Sequence, residues 1–286
     1  MVALTEEEGY LVVPQSVLEI FGTGLSFLFS KQYFVLFLPF LFLSVLEWLL
    51  SMFFPSLRLN DLALTVSSPF ELFLSFIIFF GFLLAIGIDS SIVADELLGI
   101  ETGLKKGFGK VFRVFRELLV GSFLVASLVF SPMLVILFLS FLQKKLGEFA
   151  AINLDNSTFY PLGILGLIFV ALQVIFLIWF CLTPVCIVLE KSRATNAMRK
   201  SRELIRGNLL HVTGVIFLIS IISSLTSLAA SFIRESINDL FAGTLLSQLA
   251  SLIEAIISNL VGPIFVGMLT ALYFDLLARK PYLKSF

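Results

Sequence analysis

Long apolar stretches separated by short polar segments dominate the chain from residue 33 onward. We place six spans at residues 33–54, 70–93, 118–142, 161–189, 209–233 and 252–277. A helix of about 20 apolar residues crosses a hydrocarbon layer of roughly 30 Å, and these stretches reach that length with their polar-flanked ends. Backbone groups in lipid must bond to one another within the segment, which favours helices. The pattern predicts an all-α fold, a polytopic integral membrane protein with six transmembrane helices.

The N-terminal segment, residues 1–32, contains an amphipathic helix ahead of the first span. Val17, Leu18, Phe21, Leu25 and Leu28 recur at helical spacing, with polar residues on the opposite side. Pro14 suits the first turn of this helix, because proline lacks the N–H that is unpaired there. Such a pattern is typical of a helix lying in the membrane interface, and a tilted, half-inserted helix is an equal alternative.

A second interfacial amphipathic helix is predicted at residues 195–206, between spans four and five. Its apolar face carries Ala197, Met198, Ser201, Leu204 and Ile205. Its other face carries Arg199, Lys200, Arg202, Glu203 and Arg206. Ser192 or Thr195 can cap the start of this helix, and Gly207 with Asn208 can end it.

Composition agrees with a membrane protein. The chain is 59% hydrophobic and 14% charged, with a mean hydropathy of +1.06, whereas a soluble domain is about half apolar and a quarter charged. No segment between the spans is long enough to bury a core of its own, so we treat residues 1–286 as one transmembrane domain. The acidic N-terminus lacks the basic start of a secretory signal, and no cleaved signal is expected. A net charge of −1 argues against binding nucleic acid.

The distribution of bases predicts the orientation. With the N-terminus inside, 15 of the 19 Lys and Arg residues face inward, and Arg58, Lys144, Lys145 and Arg234 face outward. Inner loops of membrane proteins carry an excess of Lys and Arg. We therefore expect a multi-pass protein of the plasma or inner membrane with both termini in the cytoplasm.

Ionisable residues at membrane depth are few and lie near the span ends. Glu47 and Glu254 fall near the predicted outer surface, and Asp89, His211 and Asp275 near the inner one. Ion-coupled carriers usually place a carboxylate, histidine or lysine near mid-membrane. The uncharged span centres therefore disfavour a coupled transporter without excluding a passive one.

Catalytic and metal-binding patterns are weak. A single histidine cannot form a zinc pair, and Cys181 and Cys186 fall on different faces of a helix, as apolar packing residues would. Asp89, Asp95 and Glu96 could hold a hydrated Mg²⁺, but three acids at a helix end are more often solvated polar groups. We assign no catalytic residue, no metal and no cofactor.

Three prolines lie inside predicted spans. Pro132, Pro184 and Pro263 are expected to interrupt spans three, four and six, since each removes one backbone donor. Such breaks mark gates in some transporters, although neighbouring helices often simply satisfy the released carbonyl.

Three local runs resemble a known group of proteins. Residues 184–190 and 196–208, which include Glu190, Glu203, Gly207 and Asn208, are followed near the C-terminus by a run holding Asp275 and Arg279. Together they resemble the uncharacterised prokaryotic six-span membrane family related to the membrane domain of glycerophosphodiester phosphodiesterases. The resemblance implies a six-helix domain of mostly unassigned role, and since the runs include no phosphodiesterase domain, hydrolysis is not implied. Asp275 and Arg279, four residues apart, are expected to pair.

The inner surface suggests a function. Arg199, Lys200, Arg202 and Arg206, with Lys105 and Lys106 from the preceding inner loop, lie where anionic lipid head groups would be. The same bases could serve only to set the topology. We expect a non-enzymatic, lipid-contacting scaffold or accessory component with a candidate protein partner at the cytoplasmic face. The alternative is a permease for a lipidic or apolar solute, which needs no buried counter-charge.

Overall fold

The computed structural model of the chain describes residues 2–4, 10–12, 14–30, 32–53, 69–100, 103–150, 159–241 and 245–280. Two short strands, β1 (Val2–Leu4) and β2 (Tyr10–Val12), pair antiparallel with Val2 opposite Val12. The remaining elements are helices: α1 (Val17–Ser26), α2 (Tyr33–Phe53), α3 (Pro69–Leu97), α4 (Leu104–Ala150), α5 (Phe159–Phe180), α6 (Thr183–Glu190), α7 (Ala194–Ile205), α8 (Leu209–Leu240), α9 (Leu245–Asn259) and α10 (Gly262–Ala278). The predicted helical fold is confirmed, with the small strand pair as an addition that the sequence pattern did not indicate.

Several helices are long and apolar enough to cross a membrane. Among the described residues these candidate spans are Ile77–Leu97, Ile168–Glu190, Leu209–Leu240 and Leu249–Ala278. A fifth candidate is a pair of helical segments, Val17–Phe29 and Tyr33–Leu46, bent by 84°. The structure thus supports four or five spans. The third predicted span, 118–142, falls in α4, whose side chains beyond Ser131 lie outside the described residues.

Two of the three predicted proline breaks are present. The fourth predicted span is divided between α5 and α6 at Cys181 and Leu182, and the sixth between α9 and α10 at Leu260 and Val261. Pro184 and Pro263 lie in the first turn of the helix after each break, where a missing N–H costs nothing. The prediction for Pro132 is wrong, because α4 continues through that position as one helix.

Helix α10 lies at the centre of the bundle. It packs against α1, α2, α3, α6, α7 and α8, and 12 of its 17 residues are buried. Glycines allow the closest of these contacts, since a Cβ atom added at Gly24 of α1 would lie 2.2 Å from Cγ of Met268. The core is therefore a set of helices around α10.

Helix α1 belongs to this core along one side. Its start is capped by Ser16, which accepts a hydrogen bond from the Glu19 amide while the Glu19 carboxylate accepts one from the Ser16 amide. The placement of Pro14 in the first turn is wrong, because the helix begins three residues later. Ile20, Gly24 and Phe27 are buried, so α1 packs on protein along one face, whatever its depth in a membrane.

Candidate functional site

The ends of several helices meet at one end of the bundle, which we call the basic end. Polar contacts there join α3 to α4, α6 to α10, α8 to α10 and α4 to the start of α7. The exposed bases Arg199, Arg202 and Arg206 of α7 and Lys105 and Lys106 of α4 belong to the same end. The basic end carries the bases that the sequence pattern predicts on the cytoplasmic side of the membrane.

Asp275 is the most connected side chain of the basic end. It is 1% exposed, and its Oδ2 atom lies 2.8 Å from Nε of Arg279, which is the expected pair four residues along α10. Oδ1 accepts a hydrogen bond of 2.6 Å from the backbone N–H of Gln15, and the Arg279 guanidinium donates to the backbone carbonyl of Gln15. One carboxylate thus fastens the segment before α1 to α10.

His211 adds a third helix to this cluster. Its Nε2 atom lies 2.9 Å from Oδ2 of Asp275 but is not aligned for a hydrogen bond with it. The contact is therefore a close approach of two titratable groups. Through it the start of α8 reaches α10.

Glu190 connects α6, α7 and α10. The Tyr273 hydroxyl donates a hydrogen bond of 2.6 Å to Oε1 of Glu190, and Nζ of Lys200 lies 3.5 Å from the same oxygen. Lys191 follows in the left-handed region with φ 49°, which turns the chain towards α7. Glu190 and Lys200, both chosen from the sequence, are thus brought together with Tyr273, which belongs to the C-terminal run that carries the family resemblance.

Helix α7 carries the amphipathic pattern that its sequence predicts. Ala197, Ser201, Leu204 and Ile205 are buried, and the predicted bounds of 195–206 differ by one residue at each end. The cap is different, because the Ala194 amide donates to Oε2 of Glu117 in α4 at 3.0 Å, and neither Ser192 nor Thr195 caps the helix. Gly207, with φ 93°, ends it as predicted.

The bases of α7 are held in defined places. The Arg202 guanidinium lies 4.7 Å from the centre of the Trp179 ring, a cation–π distance, and Ser201 donates to the Trp179 carbonyl. Nε of Arg199 lies 3.4 Å from Glu203. Lys280 donates to the Glu203 carbonyl, and partial burial lowers the pKa of Lys280. Arg199 and Arg202 thus each have a partner on the exposed basic face of α7.

The first turns of α4 add bases and aromatic rings. Lys105 and Lys106 are exposed, and the rings of Phe108 and Phe112, 50% and 68% exposed, stack with centroids 6.2 Å apart. An aromatic pair beside a base suits the boundary between head groups and acyl chains. This pair was not singled out from the sequence.

The three acids of α3 do not converge. Both carboxylate oxygens of Asp95 bind Nζ of Lys110 at 2.7 Å, whereas neither oxygen of Asp89 has a hydrogen-bond partner among the described residues. Within the described part of the chain, no three His, Cys, Asp or Glu side chains lie where they could share a metal ion. The geometry offers no Mg²⁺ site built from Asp89, Asp95 and Glu96.

Helices long and apolar enough to span a membrane, gathered around a buried central helix and closed by a polar end, define a helical membrane-protein architecture. Residues 16–276 match the family model described as "Domain of unknown function (DUF7847)", and the chain belongs to this family. No curated protein and no solved structure matches the chain.

Proposed function

We propose that the protein is a non-enzymatic membrane component that holds anionic lipid head groups on its basic end. The observation that carries this proposal is the exposed set of bases fixed on α7, next to the exposed Phe108–Phe112 pair of α4. Each base near an anionic surface contributes about 1 kcal/mol. The buried apolar face of α7 keeps Arg199, Arg202 and Arg206 turned outward.

The packed core favours this role over transport. Helix α10 has neighbours on all sides, which suits a scaffold that presents a surface. A protein partner bound to the same end would make the chain an accessory subunit. Lipid and partner then share the basic end.

The orientation completes the proposal. We place both termini and the basic end in the cytoplasm and keep six spans, because the excess of bases falls on that side. A cysteine introduced at Ser157, after replacement of Cys181 and Cys186, should react only with an impermeant reagent added outside. Reaction from the cytoplasmic side alone would overturn this orientation.

The lipid test uses the whole protein, purified in mild detergent from a membrane containing anionic lipid. We expect Arg199→Gln, Arg206→Gln and Lys105→Gln together to reduce co-purified anionic lipid, by up to about 100-fold in affinity if each base contributes fully. Arg202 is left in place, since its loss would also remove the contact with Trp179.

The matched control replaces Arg199 and Arg206 by lysine, which keeps both charges. Mass spectrometry should then find anionic lipid at the wild-type level. Equal retention by the glutamine and wild-type proteins would refute lipid binding at this surface. High salt should release the lipid from the wild type, because exposed charges are screened.

A permease for a lipidic or apolar solute is the second candidate. The observation in its favour is the pair of helix breaks at 181–182 and 260–261, since discontinuous helices line substrate sites in many transporters. Transfer of a fluorescent lipid across proteoliposomes, lost in Pro184→Ala or Pro263→Ala, would favour this candidate.

The relation to the membrane domains of glycerophosphodiester phosphodiesterases stays part of the proposal. It rests on the runs at 184–190 and 196–208, and the family match carries no link to those enzymes. It would place such a scaffold beside those enzymes.

A further inference from the structure

Asp89 is buried in α3 in a way that no other described carboxylate shares. Its side chain is 0% exposed, and neither carboxylate oxygen has a hydrogen-bond partner among the described residues. Asp95, six residues later, is bound by Lys110, and Asp275 has the Gln15 amide and Arg279 as partners. Asp89 therefore needs a partner that the described residues do not supply.

The side of α3 on which Asp89 lies follows from its neighbours. Gly87 faces Val111 and Leu118 of α4, and Asp95 reaches Lys110 of the same helix. Asp89 lies two turns after Phe82 on the same side of α3, away from the side that faces α4. The Phe82 ring is 6.2 Å from the ring of Phe40 in α2. Asp89 thus lies on the side of α3 that meets α2 and α10.

The position of Asp89 along the axis of the bundle follows from Phe40. Phe40 also touches Gly262, the first residue of α10. Helices α3 and α10 pack together, and both run from this level towards the basic end. Seven residues, roughly 10 Å, bring α3 from Phe82 to Asp89. The same distance brings α10 from Gly262 to Leu269, next to Thr270.

Thr270 is the matching group on α10. It is 0% exposed, and its Oγ1 atom has no hydrogen-bond partner among the described residues. Val266, one turn before Thr270 on α10, clusters with Ala85, one turn before Asp89 on α3. Because residues four apart share a helix face, the two unpartnered side chains lie on the facing sides of α3 and α10 at about the same level. A buried polar group without a partner costs about 1–3 kcal/mol, and an ionised one costs more.

We propose that Asp89 and Thr270 form a binding site for one monovalent cation, either a proton or an alkali ion. A proton converts the carboxylate into an acid whose O–H can donate to Oγ1 of Thr270, and its departure restores the carboxylate. An alkali ion is bound by the same oxygens. Either one compensates the negative charge of the carboxylate, which is costly to bury in an apolar core without a partner.

Among the described side chains, the other titratable groups on the helices packed against α3 are engaged elsewhere or are exposed, except for the Cys186 thiol, which is buried. They are Tyr33 and Glu47 on α2, Lys110, Glu117 and the exposed bases on α4, Cys186 and Glu190 on α6, and Tyr273 and Asp275 on α10. Tyr33 donates to the Leu260 carbonyl, Glu117 accepts from Ala194, and Tyr273 donates to Glu190. The side chain of Glu47 lies outside the described residues.

The site is independent of the lipid surface, because Asp89 is buried and the lipid-contacting bases are exposed. Failure of one proposal leaves the other intact. A cation site between α3 and α10 would give the bundle an ion-dependent stability, which a pure surface scaffold does not need.

The test measures the Tm of the full-length protein in detergent over a range of pH, in NaCl and in choline chloride. For a proton, the wild-type Tm should fall as pH rises, because losing the proton leaves a buried charge, and NaCl should have no specific effect. For an alkali ion, NaCl but not choline chloride should raise the Tm, by roughly 5 °C near saturation.

Asp89→Asn keeps the shape of the side chain and removes the charge. It should abolish the pH response or the NaCl response, whichever the wild type shows. The matched control is Asp95→Asn, which should be less stable, because Lys110 loses its partner, but should keep that response. A wild type insensitive to both pH and NaCl, or an Asp89→Asn protein that responds like the wild type, overturns the site.

Thr270→Val keeps the charge and nearly the volume, and it remains informative even if Asp89→Asn does not fold. Loss of the hydroxyl should shift the pH midpoint of the wild-type response, or move its NaCl midpoint to higher concentration, by up to about tenfold in cation affinity, as for one hydrogen bond or one oxygen ligand. An unchanged midpoint removes Thr270 from the site.

Discussion

Helices α10 and α8 are both long runs of apolar residues, yet they occupy opposite environments. Within the candidate span that contains α10, Leu249–Ala278, 56% of an apolar 18-residue stretch is buried, whereas 11% of such a stretch is buried in Leu209–Leu240, which is α8. Leu210, Phe217 and Phe232 of α8 are all more than 60% exposed. Lipid chains are as apolar as leucine, so both environments accept the same residues. Hydropathy alone therefore cannot tell a central helix from a peripheral one.

Specific contacts make the difference. Helix α10 carries Gly267, which admits Phe27 of the 3-10 turn just after α1, and Asp275, which binds Gln15 and Arg279. Helix α8 packs chiefly along α9 and touches the rest of the bundle on one side. Buried polar partners and close backbone approach, and not apolar character, mark the central helix.

The largest expected effect comes from the polar cluster of α10. Asp275→Asn should destabilise the protein by about 3–5 kcal/mol, because Arg279 loses the buried partner that neutralises it. Thermal and denaturant unfolding in detergent would measure this. On α8, Glu235→Gln changes an exposed carboxylate and should stay within about 0.5 kcal/mol. Equal losses from the two variants would contradict the central place of Asp275.

A pair of leucine truncations tests the comparison directly. Leu272→Ala on α10, where the side chain is 0% exposed, should cost about 2–5 kcal/mol. Leu225→Ala on α8, where it is 61% exposed, should change the unfolding free energy by less than about 0.5 kcal/mol. A large loss from Leu225→Ala would mean that the outer face of α8 is covered, for instance by a second copy of the chain.

A smaller effect is expected from the glycines that let α1 approach α10. A Cβ atom at Gly267 would lie 2.8 Å from the Phe27 ring, so Gly267→Ala should cost about 1–3 kcal/mol. Gly22→Ala in α1 meets nothing within 4 Å and should be neutral or slightly stabilising. The Tm values of the two variants should therefore lie on opposite sides of the wild type or differ clearly. If Gly267→Ala is as stable as Gly22→Ala, α1 does not pack as closely as the structure indicates.

Local patterns predicted much of the basic end. The bounds of α7, the breaks before Pro184 and Pro263 and the Asp275–Arg279 pair all depend on residues a few positions apart, and all three are present. The Glu117 cap of α7 joins residues 77 positions apart, and the ring beneath Arg202 belongs to a different helix. No spacing rule connects such residues, so the sequence pattern did not indicate them.

The sequence by itself determined that the chain forms long apolar helices with bases gathered between them, because length, hydropathy and charge act locally. Only the tertiary structure decided which helix is central, and which buried polar groups find partners. Gln15 binds Asp275 across 260 residues, while Asp89 has no hydrogen-bond partner among the described residues. The physical reason is that apolar helices are interchangeable in lipid, whereas a buried charge stabilises only the packing in which its counterpart arrives beside it.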